Sequence, residues 1–263
     1  MKNEQIYTYG DLPVSFKSTG RGKSLLVLHG WGSNGQVMEP LAQQLQSTHR
    51  CYLFDLPGFG DSPPPAQPWS VDDYADLIQH FITDREMDKV DLLVHSFGGR
   101  IALKLCARPE IQDNIDKVLI TGGAGMKPKR SASYYVKKYT AKTLKAPFLI
   151  LPSNLRERAL QKLRQTSLWK SLGSSDYSKL SGVMRQTFVK TVSEYLEPCL
   201  PEIPHDVLLL WGRDDQSTPL YQARRMEKGI ANAALVVIDH AGHYAFLDRP
   251  AHFSSIAKAF FDG

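Results

Sequence analysis

The sequence predicts an α/β protein: a mostly parallel, doubly wound sheet with a helical lid inserted between two of its strands. Short apolar runs alternate along the chain with longer segments in which apolar residues recur at helical steps. The runs are apolar throughout, which is typical of parallel strands covered on both faces. With 263 residues, 42% of them hydrophobic, the chain can form one large core, and a second independent domain is not expected.

Eight apolar runs are predicted as strands. The core strands are expected at residues 25–28, 51–54, 90–95, 118–120, 207–211 and 235–238, and two edge strands at 6–8 and 12–16. Helical periodicity predicts helices near residues 37–45 and 101–107. Another helix is expected from the N-cap Ser70 to about residue 85, with Asp72 and Asp73 placed favourably in its first turn.

Residues 127–198 interrupt this alternation. They contain no convincing strand, and Met184, Phe188 and Val192 recur at helical steps. We interpret the segment as a helical lid on a core formed by residues 1–126 and 199–263.

The positive charge of the chain is concentrated in this segment. Between residues 127 and 197 there are 15 Lys and Arg against four acidic residues, a sum of +11. The whole chain carries +5, so the remainder carries −6. These charges either keep a helical surface solvated or attract an anionic partner, such as a carboxylate-bearing substrate, an acidic acyl-carrier protein or anionic lipid. We expect no nucleic-acid partner.

Composition argues against several other classes of protein. Cys51, Cys106 and Cys199 are odd in number and lack CxxC spacing, so we expect packing residues rather than disulfides or a zinc site. Residues 1–10 hold no apolar run that could serve as a signal peptide. No stretch approaches the roughly 20 apolar residues needed to span a bilayer. The sequence therefore predicts a soluble, cytoplasmic protein.

The first candidate functional motif is Val-His-Ser-Phe-Gly-Gly at residues 94–99, between a predicted strand and a predicted helix. A serine at such a sharp turn holds its hydroxyl clear of the backbone, and the helix start behind it favours developing negative charge. Gly98 and Gly99 allow the close packing that this turn needs, whereas Val94 stands where glycine is usual. Ser96 is therefore the candidate nucleophile.

The second motif, His-Gly-Trp-Gly at residues 29–32, directly follows the first core strand. Its glycines allow a backbone N–H to point into a pocket. An acyl-transfer enzyme needs two such donors where the substrate carbonyl oxygen becomes an oxyanion. The N–H groups of Trp31 and Phe97 are the candidates.

Two further motifs follow the last two core strands, Trp-Gly-Arg-Asp-Asp at 211–215 and Asp-His-Ala-Gly-His at 239–243. A carboxylate on the first can orient a histidine on the second and stabilise its imidazolium. Asp214 and Asp215 compete for the acid, and His240 and His243 for the base. Each motif alone also occurs in ordinary turns, but four motifs at four strand ends, in the order Ser, Asp, His, indicate a catalytic triad.

Together these motifs resemble those of the α/β-hydrolase superfamily over nearly the whole chain. HGWG is similar to its oxyanion loop, HSFGG at 95–99 to its nucleophile elbow, and DLPGFGDS at 55–62 to the DxPGxGxS loop of its lidded, small-molecule branch. GRDD is similar to the GxxD motif, which implies Asp215 as the acid, and AGH resembles the histidine loop, which implies His243 as the base. The pairing of HGWG with DLPGFG also resembles carboxylesterases that cleave methyl esters of carrier-bound acyl chains.

The resemblance implies a serine carboxylesterase. Ser96 would attack an ester carbonyl, His243 would transfer the proton, and the Trp31 and Phe97 N–H groups would bind the oxyanion. No metal and no organic cofactor is implied. Serine at the elbow argues against epoxide hydrolases and haloalkane dehalogenases, which use aspartate there. Two alternatives stay open: a carbon–carbon hydrolase of dienoic keto-acids, with the same catalytic residue types, and a non-catalytic binding module.

Overall fold

The computed structural model describes residues 4–130, 132–166 and 180–263. Within them one sheet is formed by β1 Glu4–Tyr9, β2 Leu12–Gly20, β3 Lys23–Leu28, β4 His49–Phe54, β5 Val90–His95, β6 Ile115–Thr121, β7 Asp206–Gly212 and β8 Ala233–Ile238. The strand order is β1-β2-β4-β3-β5-β6-β7-β8. Strand β2 pairs antiparallel with β1 and β4, and the other pairings are parallel.

Helices connect the strands. They are α1 Glu39–Leu45, α2 Val71–Asp84, α3 Phe97–Cys106, α4 Ala132–Lys145, α5 Ser153–Gln165, α6 Gly182–Ser193, α7 Tyr221–Gly229, α8 Ala245–Asp248 and α9 Pro250–Asp262. Short 3₁₀ turns lie at Gly35–Met38, Pro109–Asn114, Ala146–Phe148 and Glu197–Glu202.

Both faces of the sheet are covered. Along β3, Leu26 and Leu28 pack into a core cluster with residues of α2, α3 and α7, whereas Leu25 and Val27 pack into a second cluster with residues of α1 and α9. Because successive side chains of a strand point to opposite faces, an apolar run such as β3 fits only between two helical layers. The mostly parallel, doubly wound α/β fold is therefore confirmed.

All eight predicted strands are present, and most extend a little beyond their predicted ends. Ser70 caps α2 as predicted: its hydroxyl accepts the Asp73 N–H, and the Asp73 carboxylate accepts the Ser70 N–H. The helix expected at 37–45 is instead a 3₁₀ turn followed by α1. Pro40 lies in the first turn of α1, where its missing N–H costs nothing.

The segment predicted as a lid forms α4, α5 and α6 in its described part, and no strand occurs there. Residue 131 and residues 167–179 of the segment lie outside the described residues. Helix α6 is tied to the core, because the Thr187 hydroxyl accepts the Trp69 N–H at 3.1 Å and Lys190 Nζ donates to the Pro68 carbonyl at 2.8 Å. None of the helices in the described part is long and apolar enough to cross a bilayer.

Candidate active site

Ser96 occupies the sharp turn between β5 and α3. Its backbone has φ 50° and ψ −103°, a conformation that residues other than glycine rarely adopt. The turn is held because Ser96 N donates to the Thr121 carbonyl at 3.1 Å. A Cβ atom on Gly98 would lie 2.6 Å from the Leu28 carbonyl oxygen, so only glycine fits there. The elbow forms with Val94 buried in β5, and glycine at that position is not required.

Ser96, His243 and Asp215 form a continuous hydrogen-bonded chain. Ser96 Oγ lies 3.0 Å from His243 Nε2, and His243 Nδ1 lies 2.9 Å from Asp215 Oδ2. The rival residues Asp214 and His240 are exposed and take no part in this chain. This spacing is that of a nucleophile, a base and an orienting acid.

The carboxylate of Asp215 is buried and multiply hydrogen-bonded. Its Oδ1 accepts the N–H groups of Ser217 at 2.8 Å and Thr218 at 2.9 Å. The Thr218 hydroxyl lies 2.8 Å from Oδ2. Burial alone would raise the pKa of Asp215, but the hydrogen bond and charge of His243 and the hydrogen bonds from Thr218 outweigh it and lower this pKa. Asp215 is therefore held ionised beside the imidazole.

His95 fixes the backbone of the histidine loop. Its Nε2 lies 3.1 Å from the His243 carbonyl oxygen, so we assign a donating Nε2–H there. Its Nδ1 has no hydrogen-bond partner among the residues described. Burial, together with the nearby His243, lowers the pKa of His95 to about 3. His95 is consequently a neutral support for the loop.

The HGWG loop lies against Ser96. A Cβ atom on Gly30 would be 2.9 Å from His95 Nδ1 and 3.1 Å from Ser96 Cβ, so the loop approaches this closely only with glycine. Neither the Trp31 N–H nor the Phe97 N–H donates a hydrogen bond to any described residue. Two donors are therefore left free beside Ser96, as oxyanion binding requires.

The DLPGFGDS loop is held by hydrogen bonds to its own and neighbouring backbone. Asp55 accepts the Gly35 N–H at 2.7 Å and the Asp61 N–H at 2.8 Å. His29 contacts the Gly30 carbonyl through Nδ1 at 2.7 Å, and its Nε2 accepts the Leu56 N–H at 3.0 Å. Burial lowers the pKa of His29 to about 4, so it remains neutral. Asp55 and His29 position the HGWG loop and do not line the pocket above Ser96.

A pocket of about 480 Å³ opens above Ser96. Its lining residues are Gly30, Trp31, His95, Ser96, Phe97, Arg100, Ala124, Phe188, Val192, Ser217, Thr218, His243 and Tyr244. Phe188 of α6 packs edge-on against Trp31, with ring centroids 5.0 Å apart. Helix α6 therefore forms one wall of the pocket, and that wall is apolar.

Sequence reasoning missed Arg100 and Thr218. Thr218 follows Asp215 by three residues, a spacing at which a hydroxyl commonly bonds back to an aspartate. Arg100 follows Ser96 by four residues, which places both on one face of a helix. The sequence signal for Arg100 was a charged residue within the otherwise apolar start of α3, which could have indicated a role in the site.

No described residues form a group of three or more His, Cys, Asp or Glu that could hold a metal ion. Cys51 and Cys106 are buried, and burial raises the pKa of both thiols, that of Cys51 to about 12. Both cysteines therefore stay protonated and contribute packing.

Known proteins resemble this chain along most of its length. A family model of the alpha/beta hydrolase fold matches residues 23–250. The chain is 24% identical over 261 residues to a pimeloyl-(acyl-carrier protein) methyl ester esterase of Nitrosomonas europaea, covering 94% of this chain and 98% of the relative. It is 27% identical over 260 residues to a 2-hydroxymuconate semialdehyde hydrolase of a Pseudomonas species, covering 94% and 89%. A solved esterase of Exiguobacterium antarcticum has a TM-score of 0.74 at 24% identity, over 100% of both chains.

Proposed function

Because this chain belongs to the α/β-hydrolase family and is a hydrolase of that fold, we propose that it is a serine carboxylesterase. The observation that carries the proposal is the hydrogen-bonded chain from Ser96 through His243 to Asp215, with spacings of 3.0 and 2.9 Å. The two free N–H groups of Trp31 and Phe97 beside the nucleophile support it further.

In the proposed reaction, Ser96 Oγ attacks the ester carbonyl while His243 Nε2 takes the hydroxyl proton. The resulting oxyanion is bound by the Trp31 and Phe97 N–H groups. His243 then gives its proton to the departing alcohol, which leaves Ser96 acylated. Water repeats the sequence, losing a proton to His243 and releasing the carboxylic acid and free Ser96. Asp215 keeps the imidazole in the tautomer with a proton on Nδ1 and stabilises its charged form.

A carbon–carbon hydrolase is the second candidate function. The likeness to the 2-hydroxymuconate semialdehyde hydrolase favours it, and the same three residue types would serve. A p-nitrophenyl ester series tested against a dienoic keto-acid separates the two candidates, since each enzyme class should turn over only one substrate type efficiently. We propose the ester as the natural substrate type.

We also propose that the basic segment, residues 127–198, receives an anionic partner, either the substrate itself or an acyl-carrier protein. Among the described residues, nine of the twelve exposed large apolar side chains lie in this segment. Apolar side chains mixed with positive charge favour docking of an anionic surface over simple solvation. The likeness to a pimeloyl-(acyl-carrier protein) methyl ester esterase also supports docking of an anionic partner.

Labelling with a fluorophosphonate probe tests the proposed function and separates it from a non-catalytic binding module. The wild-type protein should be labelled and hydrolyse p-nitrophenyl esters, whereas a folded Ser96→Ala variant should do neither. Loss of the nucleophile leaves only residual rate from binding and the oxyanion hole. Near-normal esterase activity in Ser96→Ala would overturn the assignment.

A further inference from the structure

Arg100 is a buried cation in the wall of the candidate active site. Only 7% of its surface is exposed, and it borders the same pocket as Ser96 and His243. Burying a cation is costly unless an anion or strong acceptors surround it. The hydrogen-bond partners of this guanidinium therefore decide whether its burial is compensated.

No described carboxylate forms an ion pair with the guanidinium, and the charges of Glu194 and Glu197 act on it only from a greater distance. Its Nη1 donates to the carbonyl oxygens of Thr191 at 2.8 Å and Glu194 at 2.7 Å, at the end of α6. Its other nitrogens donate to no described residue, and no described carboxylate lies within 4 Å of it. Burial lowers the pKa of Arg100 to about 10, so the side chain remains charged near neutral pH.

Lys104, one turn further along α3, forms the ion pairs that Arg100 lacks. Its ammonium forms ion pairs with Asp72 at 2.9 Å and Glu194 at 2.8 Å. Lys104, which does not line the pocket, is thus paired with two carboxylates, whereas Arg100, which does line it, forms no ion pair among the described residues.

Arg100 and Ser96 line the same pocket about one helical turn apart in sequence. Ser96 is the N-cap of α3 and Arg100 follows it by four residues, so their Cα atoms are about 6 Å apart along the axis on one face. Helical side chains lean toward the N-terminus of their helix, which here is the end that carries Ser96. A group bound by Arg100 would therefore lie in the same pocket as the carbonyl that Ser96 attacks.

We propose that Arg100 is a specificity-determining residue that binds a carboxylate of the substrate, which is then a short ester with a free carboxylate about one helical turn from its scissile carbonyl. The inference rests on the proposed esterase function. A planar guanidinium with free N–H groups matches a carboxylate through paired, charge-assisted hydrogen bonds. The substrate would supply a directly bonded anion, which the described chain does not.

Monomethyl glutarate and dimethyl glutarate are matched probes, because they share a carbon chain and differ in one free carboxylate. The wild-type protein should prefer the monoester in kcat/KM. Arg100→Met should reduce that preference on the order of 10- to 100-fold, mainly through a higher KM for the monoester. Lys104→Met removes a charge from the same helix and a contact with Glu194, and it should leave the preference intact.

Arg100 also anchors the end of α6, so a structural role must be distinguished. A purely structural residue would lower the rates of both esters together, and Lys104→Met would mimic part of that loss. Arg100→Lys keeps the charge but not the paired geometry, and it should retain part of the preference. Thermal melting checks that each variant is folded.

Calorimetric binding of monomethyl glutarate to Ser96→Ala separates this inference from the proposed function. Binding in Ser96→Ala that is lost in Ser96→Ala/Arg100→Met supports the carboxylate site even if no ester is turned over. Ser96-dependent hydrolysis with equal kcat/KM for the two esters, in wild type and Arg100→Met alike, overturns the carboxylate site and leaves the esterase function standing.

Discussion

Oδ2 of Asp215 lies 2.9 Å from Nδ1 of His243, whereas its sequence neighbour Asp214 is exposed and does not reach the ring. Asp215→Asn should therefore lower kcat on the order of 10³- to 10⁴-fold, because an amide favours the wrong imidazole tautomer. Asp214→Asn is the matched control and should retain most activity. Steady-state kinetics on a p-nitrophenyl ester measures both, and a larger loss in Asp214→Asn would contradict the assigned acid.

The close approach of the HGWG loop to Ser96 leaves no room for a methyl group at Gly30. Gly30→Ala would place Cβ 3.1 Å from Ser96 Cβ, and the loop must shift with its Trp31 N–H. Losing one oxyanion donor costs on the order of 10²-fold in kcat, and we expect a loss of that size. Gly242→Ala is the control, since its Cβ would meet only Asp248, at an ordinary 3.5 Å. Equal losses in both variants would rule out the steric explanation.

His29 and His95, both buried and neutral, make stability dependent on pH. Burial lowers the pKa of His95 to about 3 and that of His29 to about 4, from 6.5. Between pH 6.5 and 4 these histidines bind protons in the unfolded chain but not in the folded protein. The free energy of unfolding should therefore fall on acidification. Each histidine contributes a slope of about 1.4 kcal/mol per pH unit.

Urea unfolding at pH 6 and pH 4 tests this dependence. His95→Gln should reduce the slope of the unfolding free energy against pH, whereas His80→Gln, at an exposed position, should leave it unchanged. An identical slope in wild type and His95→Gln would show that His95 is protonated in the folded protein.

Helix α6 contributes Phe188 to the pocket through its contact with Trp31. Phe188→Ala should lower kcat/KM for longer acyl esters roughly tenfold, as expected for one lost apolar contact in a binding pocket. Val189→Ala changes the next residue, which is exposed, and should leave kcat/KM unchanged. If both variants behave as wild type, α6 does not contact the acyl chain.

The proposed docking role of residues 127–198 predicts a salt dependence. The value of kcat/KM for an anionic ester should fall steeply with ionic strength, because salt screens attraction between exposed charges. A neutral small ester should respond much less. Reversing Lys129 and Arg130 to Glu should reproduce the selective loss. Similar responses of both substrates would show that the positive charge is only a solvated surface.

The sheet and the four strand-end motifs were predictable because both depend on local sequence. A strand buried on both faces must be apolar throughout, and a nucleophile elbow needs small residues next to the serine. The pairing of Asp215 with His243, rather than Asp214 with His240, required either a family resemblance or coordinates, since neighbours in a loop differ only in where their side chains point.

Arg100 shows what the sequence could not supply. Its residue type and its position on α3 are visible in the sequence, but its burial and its missing anion depend on how α6 packs against the elbow helix. That packing joins residues more than 90 positions apart. Periodicity reports which face of a helix is apolar and does not report which distant segment covers it.

The backbone of Ser96, with φ 50°, couples the proposed activity to a loss of thermal stability. A residue other than glycine in such a conformation costs on the order of 1 kcal/mol or more, so the turn at Ser96 lowers the stability of the fold. Ser96→Gly should melt at a higher temperature than the wild-type protein while losing all turnover. Selection of variants for heat resistance alone would then enrich inactive enzymes, and any directed evolution of this protein must screen for both properties together.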